Sequence, residues 1–210
     1  MKELKNNTEL VNFLVKQGHI KNPAIRAAFK ACDRADFVPA GLRSQAYENY
    51  PLPLSQGQTI SQPSTVAFML ELLNAGQGMN VLEVGAGSGY AAALLAELTG
   101  KKGQVTVLEI VPELVNYAKS ALRKFSYPQL KLLNLDGSQG YVEAAPYDRI
   151  LVSAAAPAIP QAYFDQLKEQ GKLVMPIGVT HQALIVAERI GFTFVKQVYP
   201  GYIFVPLVNS

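Results

Sequence analysis

The sequence of 210 residues has no tryptophan, one cysteine and two histidines. The single cysteine, Cys32, can form no internal disulfide, which favours a reducing compartment. No apolar run approaches the length of about 18 residues that a membrane helix needs, and the charged start of the chain is unlike a signal peptide. We therefore expect a cytoplasmic protein that has no contact with a membrane.

Charge is also sparse, since 17% of the residues are charged and the net charge is +3. This charge is too small and too scattered to indicate a nucleic-acid surface, and no cluster of side chains has metal-ligand spacing. The 49% of apolar residues can bury a large core, and no linker divides the chain. We expect one monomeric domain over residues 1–210, without nucleic acid or metal.

From Asn80 onward, short apolar runs alternate with segments of helical period. This alternation predicts an α/β fold with a mostly parallel, doubly wound sheet. The predicted strands are 79–84, 104–110, 130–135, 147–152 and 171–177, with helices beginning at Gly89, Pro112 and Pro160. In the tail, the runs 183–189 and 193–199 are three residues apart and are followed by 202–208, which predicts an antiparallel C-terminal edge.

The N-terminal third has helical rather than strand periodicity. Helices are predicted at 4–16, 23–32 and 63–73, with Asn22 as a cap and with Pro23 and Pro63 in first turns. We expect residues 1–75 to form a helical cap and an active-site loop on a ligand-binding α/β core of residues 76–210.

The segment VLEVGAGSGY places Gly85, Gly87 and Gly89 between a predicted strand and a predicted helix. At such a turn the backbone approaches a ligand and helix N–H groups point outward. The dinucleotide pattern Gly-x-Gly-x-x-Gly/Ala fails, because Tyr90 occupies its last position. The sequence therefore predicts a nucleotide-binding turn and disfavours a nicotinamide cofactor.

Acids lie at or just after the ends of three successive predicted strands, at the same edge of the sheet. Glu109 can accept hydrogen bonds from both hydroxyls of a ribose, Glu83 can meet a cationic amino group, and Asp136 can accept from an adenine amino group while Gly137 lets the chain turn. Taken singly, Glu109 could be a surface acid and Asp136 a turn residue. Taken together, the three acids predict S-adenosylmethionine as the ligand. The order of the acids and glycines along the chain resembles that of the Rossmann-like class I methyltransferases.

Several segments narrow the resemblance further. DRADFVP, AYENYPLPL, LPLSQGQTISQPSTVAFM, LEVGAGSGYAAALLA, PYDRILVSAAAPAIP, GKLVMPIG and FVPL occur in the order typical of the protein-L-isoaspartate O-methyltransferases. The resemblance runs from about Arg34 to Leu207. It implies transfer of a methyl group from S-adenosylmethionine to the free α-carboxylate of an isoaspartyl residue in a damaged protein or peptide, after which the ester closes to a succinimide.

Ser61 stands in the neutral stretch PLPLSQGQTISQPST, and the resemblance makes it the active-site serine. An α-carboxylate has a pKa of about 3.5 and needs no general base, so we assign Ser61 to binding and orienting the substrate carboxylate. Residues 59–61 are expected to run extended into the helix at Pro63, so that the Ser61 hydroxyl and the first helix N–H groups converge on one anion. The alternative is that Ser61 only caps this helix.

The remaining assignments surround these residues. Gln58, Thr59, Ile60 and Ile110 are predicted cofactor contacts, and the predicted substrate contacts are Thr59, Ile60, Ser61 and Val205. The run 203–207 is expected to offer a sheet edge to a peptide backbone, or to be a simple edge strand ended by proline.

Two departures from the family pattern, and two other functions, stay open. Leu135 and the pair Ser55-Gln56 differ from what members commonly carry and affect cofactor affinity and substrate preference. A nucleic-acid or small-molecule methyltransferase would share the cofactor loop, although SAAAPAIP lacks the Asn/Asp-Pro-Pro-aromatic tetrapeptide of base-amino methylation. A non-catalytic regulator that binds S-adenosylmethionine is the other alternative.

Overall fold

The computed structural model describes residues 4–208. Its helices are α1 Asn7–Lys16, α2 Pro23–Ala31, α3 Pro63–Leu73, α4 Tyr90–Thr99, α5 Pro112–Leu122 and α6 Gln161–Gln166. Its strands are β1 Leu52–Pro53, β2 Thr59–Ile60, β3 Asn80–Val84, β4 Gln104–Glu109, β5 Leu130–Asn134, β6 Tyr147–Val152, β7 Leu167–Ile177, β8 Ala183–Ile190 and β9 Thr193–Pro200. Short 3₁₀ turns lie at Arg34–Phe37, Ala40–Gln45 and Val142–Ala144.

Seven strands form one sheet in the order β5-β4-β3-β6-β7-β8-β9. Neighbouring strands from β5 to β7 are parallel, whereas β8 and β9 join the sheet antiparallel to their neighbours. The predicted parallel, doubly wound sheet with an antiparallel C-terminal edge is thus confirmed. The strand order reverses at β3, with β4 on one side and β6 on the other, and ligands of open α/β sheets bind at the carboxyl ends beside such a reversal.

Apolar side chains cover both faces of the sheet, because successive strand residues point to opposite sides. Val81 belongs to a cluster that also holds Leu10 and Phe29 of the N-terminal helices, while its neighbour Leu82 belongs to a second cluster with Tyr163. Helix α3 packs against β6 and β7. The N-terminal helices therefore share their core with one face of the sheet.

Helix boundaries follow side-chain caps. Helix α1 begins at Asn7 rather than at residue 4, because the Asn6 side chain accepts a hydrogen bond from the backbone N–H of Glu9. Asn22 caps α2 in the same way, accepting from the N–H of Ala24. Strand β7 begins at Leu167, four residues before the predicted start, and the pairing with β6 shifts register after Leu167.

The expectation of a sheet-edge strand at 203–207 is wrong. Gly201 has a φ of +89° and follows the last residue of β9, and the chain leaves the sheet there. The tail then crosses near Ala155, whose N–H donates to the carbonyl of Val205 at 2.8 Å and whose carbonyl accepts from the N–H of Leu207 at 2.7 Å. Pro206 lies between these two bonds and has no N–H to extend the ladder. The edge strand on the C-terminal side of the sheet is β9, and β5 forms the opposite edge.

Candidate active site

A cavity of about 1290 Å³ lies at the carboxyl ends of β3, β4 and β6. Residues of the β1–β2 hairpin, of α3 and of the tail segment 199–208 also line it. Small-molecule sites commonly occupy about 300–1,000 Å³, so this cavity has room for more than one small ligand. It brings together ten predicted residues: Gln58, Thr59, Ile60, Ser61, Glu83, Gly85, Glu109, Ile110, Gly137 and Val205.

Three other predicted residues, Gly87, Gly89 and Asp136, are not among the residues that line the cavity. The N–H of Gly87 donates to the carboxylate of Glu109, and Asp136 accepts a hydrogen bond from the N–H of Ser138 at 2.8 Å. Gly89 is the N-cap of α4 with a φ of +84°, and a Cβ there would come within 3.1 Å of the Ala118 Cβ on α5. Gly89 therefore serves the close packing of two helices, while Gly85, Ala86 and Ser88 of the same loop line the cavity.

Glu109 is buried at the end of β4, so it is not a surface acid. Its Oε2 accepts from the N–H of Gly87 at 2.9 Å, and its Oε1 accepts from the N–H of Val111 at 3.0 Å. Each carboxylate oxygen can accept a second hydrogen bond, so both remain able to bind ligand hydroxyls. Glu109 thus ties the glycine loop to the next turn, a role that its sequence position did not indicate.

Glu83 is fully buried on the central strand β3 and lines the cavity. Neither of its carboxylate oxygens has a hydrogen-bond partner among residues 4–208. Burial raises the pKa of Glu83 well above its ordinary value, and the negative charge of Glu109 adds to this shift. An unpartnered buried carboxyl is costly, and a cationic ligand group would satisfy it. The donor chemistry therefore fits a ligand that carries an amino cation.

Gly137 is required by close approach rather than by a positive φ. A Cβ at this position would overlap with the Cγ1 of Val84, and the Gly137 carbonyl accepts a hydrogen bond from the Tyr163 hydroxyl at 2.9 Å. Leu135, which departs from the family pattern, lines the cavity and is 43% exposed. The Leu135 side chain therefore lies at the rim and does not fill the buried part of the cavity.

Ser61 follows β2, is partly buried and lines the cavity. It does not cap α3, because the N-cap residue of this helix is Gln62. The expectation that the first helix N–H groups join Ser61 is also wrong. Pro63 has no N–H, and the N–H of Ser64 donates to the Asn49 side chain at 3.0 Å. The N–H of Thr65 donates to the Gln62 carbonyl within the turn.

Two residues near Ser61 were missed by sequence reasoning. The Asn49 side chain accepts a hydrogen bond from the N–H of Ser64 at the start of α3. The buried guanidinium of Arg34 donates to the carbonyl of Ser61 at 3.1 Å. Their partners are main-chain groups far along the sequence, which no residue pattern displays.

Neither a metal site nor a membrane span is found in the part of the chain that the structure describes. Within residues 4–208, no group of three His, Cys, Asp or Glu side chains could hold a metal ion. No helix in the same range is long and apolar enough to cross a membrane.

The sheet order and the buried acids at its carboxyl edge define the class of Rossmann-like methyltransferases. A family model described as protein-L-isoaspartate(D-aspartate) O-methyltransferase matches residues 5–210. The chain belongs to this family, which confirms the resemblance seen in the sequence.

Individual relatives cover nearly the whole chain. The protein-L-isoaspartate O-methyltransferase of Methanopyrus kandleri is 45% identical over 204 residues, which are 96% of this chain and 90% of the relative. That of Methanococcus aeolicus is 40% identical over 207 residues, covering 99% and 96%. A crystal structure of this enzyme type from Plasmodium falciparum, in complex with S-adenosyl-L-homocysteine, has a TM-score of 0.87 and 26% identity and covers 98% of this chain and 99% of that one.

Proposed function

We propose that this protein transfers a methyl group from S-adenosyl-L-methionine to the free α-carboxylate of L-isoaspartyl residues in damaged proteins and peptides. The observation that carries the proposal is one cavity lined by both the unpartnered Glu83 carboxyl and Ser61. A cofactor at the carboxyl ends of the strands and a peptide under the hairpin would share this space. The match of the family over residues 5–210 supports the same reaction.

The residues present fit the cofactor at three points. Glu83 would bind the α-amino cation, the Glu109 oxygens would accept from the ribose hydroxyls, and the turn at Asp136 and Gly137 would border the adenine. When bound, S-adenosylmethionine supplies a methyl group on a positively charged sulfur, and its transfer to a carboxylate oxygen leaves S-adenosylhomocysteine.

The chain's own task is to bind and align the carboxylate. With a pKa of about 3.5 the group is ionised near neutrality, so no proton has to move before the new C–O bond forms. The segment from Tyr50 to Thr65 carries no charged side chain, and Ser61 within it offers a neutral hydroxyl. A neutral donor orients the carboxylate without the strong ground-state stabilisation of a buried cation. Orientation alone can contribute about 7–11 kcal/mol in well-aligned reactions.

The substrate contacts of Thr59, Ile60 and Val205 belong to the same proposal. Thr59 and Ile60 form β2 next to Ser61, and Val205 lies in the tail that borders the cavity. The Val205 carbonyl already accepts from Ala155, so we assign its peptide contact to the N–H. We further propose, from composition and charge, that residues 1–210 act as a monomeric domain in the cytoplasm and bind no nucleic acid.

The test is methyl transfer from labelled S-adenosylmethionine to two peptides that differ only in isoaspartate or aspartate at one position. Label on the isoaspartyl peptide alone, released by base as methanol, is the expected result. Label on neither peptide, with cofactor binding intact, would point to another substrate or to a regulator.

Ser61→Ala should lower kcat on the isoaspartyl peptide by about tenfold or more, because alignment of the carboxylate is lost. The dissociation constant of S-adenosylhomocysteine should change far less. Ser44→Ala is the matched control, since Ser44 is an exposed serine outside the hairpin and does not line the cavity. Equal kcat values for Ser61→Ala and the wild type would remove Ser61 from the mechanism.

A further inference from the structure

Arg34 is an arginine with no exposed surface that is surrounded by main-chain carbonyls. Its Nη1 donates to the carbonyl of Ala46 at 2.7 Å. Its Nη2 donates to the carbonyl of Ser61 at 3.1 Å and to that of Tyr50 at 3.3 Å. Among the ion pairs found within residues 4–208, none includes Arg34. Its two terminal nitrogens are therefore held by neutral oxygens, whereas its Nε has no hydrogen-bond partner among residues 4–208.

The two carbonyls that Nη2 binds lie at the two ends of the β1–β2 hairpin. Tyr50 stands two residues before β1, and Ser61 directly follows β2, so one nitrogen joins the two ends. The hairpin ladder itself is short, with only Leu52 opposite Ile60 and Pro53 opposite Thr59. A two-stranded hairpin of this length is not stable on its own, so its position depends on such tertiary contacts.

A purely structural need would not favour an arginine here. Burial lowers the pKa of Arg34 to about 10, which still leaves it charged near neutral pH. Well-packed apolar residues fill such a position at a lower desolvation cost. What a guanidinium adds is a rigid planar fork that can donate to several carbonyls in fixed directions.

We propose that Arg34 is a positioning residue, whose guanidinium fixes the main chain at Ser61 and thereby holds the Ser61 hydroxyl in the orientation that aligns the substrate carboxylate. This inference rests on the proposed function of Ser61. It does not require Arg34 to touch the cofactor or the peptide.

Arg34→Lys tests the proposal, because it keeps the charge and removes the fork. A single ammonium cannot reach all three carbonyls in the same directions. We expect kcat on the isoaspartyl peptide to fall by about tenfold to a hundredfold, the effect of a small misplacement in the site, while S-adenosylhomocysteine binding by calorimetry changes little. Arg189→Lys is the matched control, since Arg189 also donates to three carbonyls, but their residues, Phe164, Leu167 and Gly191, do not line the cavity.

A double-mutant cycle separates positioning from general stabilisation. If Arg34 acts through Ser61, Arg34→Lys should lower kcat much less in the Ser61→Ala background than in the wild type. Additive losses, or a kcat for Arg34→Lys equal to that of the wild type, would overturn the proposal. If the lysine variant does not fold, Arg34→Gln, which keeps a planar donor, takes its place. An inactive wild type would instead count against the proposed function itself.

Discussion

Glu83→Gln should have opposite effects on stability and on ligand binding. In the protein without ligand, Glu83 is fully buried and neither oxygen has a partner among the described residues. Removing its ionisable group should therefore stabilise the ligand-free protein at pH values above the ordinary pKa of a carboxyl. The same change should weaken the binding of a ligand that brings an amino cation to this position.

The effect on stability depends on pH in a defined direction. In the unfolded chain the carboxyl ionises near its ordinary value of 4.5, whereas in the folded protein burial, with Glu109, keeps the pKa well above that value. Between the two values the folded state binds more protons than the unfolded state, so the free energy of unfolding falls as pH rises. The loss approaches about 1.4 kcal/mol per pH unit, and the glutamine variant does not have it. The advantage of the variant should therefore grow with pH across this window.

The effect on binding is measured with two ligands. S-adenosylhomocysteine should bind Glu83→Gln about 1.5–3 kcal/mol more weakly than the wild type, as expected for loss of a hydrogen bond to a charged group. 5′-Methylthioadenosine lacks the amino-acid part, so it should bind both proteins equally. Binding of S-adenosylhomocysteine to the wild type should also release a proton from Glu83, which calorimetry detects as a dependence of the heat on the buffer.

Thermal melting of both proteins at several pH values, together with calorimetry, decides the matter. For a chain of this size, each kcal/mol corresponds to a shift in Tm of about 2–4 °C. If the difference in Tm between Glu83→Gln and the wild type is the same at every pH, the raised pKa of Glu83 is refuted. Equal loss of affinity for both ligands would show a general distortion of the site instead of a lost amino contact.

Two further predictions concern the floor of the cavity. Glu109→Gln should weaken the binding of S-adenosylhomocysteine and of 5′-methylthioadenosine alike, by about 1.5–3 kcal/mol, because both ligands carry the ribose. Unchanged dissociation constants by calorimetry would disprove the ribose assignment. Gly137→Ala should lower the free energy of unfolding by about 1–3 kcal/mol in denaturant titrations, because the added methyl group overlaps with Val84. The control is Gly76→Ala, whose methyl group would lie 3.8 Å from the Met79 Cε, and equal losses would show that Val84 moves aside.

The sequence predicted the sheet well because its central strands β3, β4 and β6 are mostly buried on both faces. Apolar runs such as 104–110 and 147–152 differ by at most one residue from β4 and β6. The tail was misread because 202–208 has the same β-branched and aromatic composition as a strand. Its course is decided by the turn at Gly201, which the Pro200-Gly201 pair could have indicated, and by two hydrogen bonds to Ala155, which are tertiary contacts without a local pattern.

The acids of the candidate site were predictable for a physical reason. Parallel strands end at one edge of the sheet, so Glu83 and Glu109, near the ends of two successive strands, were expected at the same edge once a parallel sheet was inferred. Arg34 could not be found in this way. Its acceptors are main-chain carbonyls 12 to 27 residues away, and a carbonyl has the same chemistry whatever the side chain beside it.

The wrong expectation at the start of α3 clarifies how the substrate carboxylate can react. A free helix N-terminus would stabilise the anion by about 0.3–1 kcal/mol before transfer, when its charge is largest, and would thus lower its reactivity. Asn49 instead occupies the N–H of Ser64, and Pro63 has none. The start of α3 therefore offers few free N–H groups to the anion, and the Ser61 hydroxyl and the hairpin main chain align the carboxylate. Because that hairpin has only two residue pairs, the accuracy of alignment depends on what holds its ends, and both ends are bonded to Arg34.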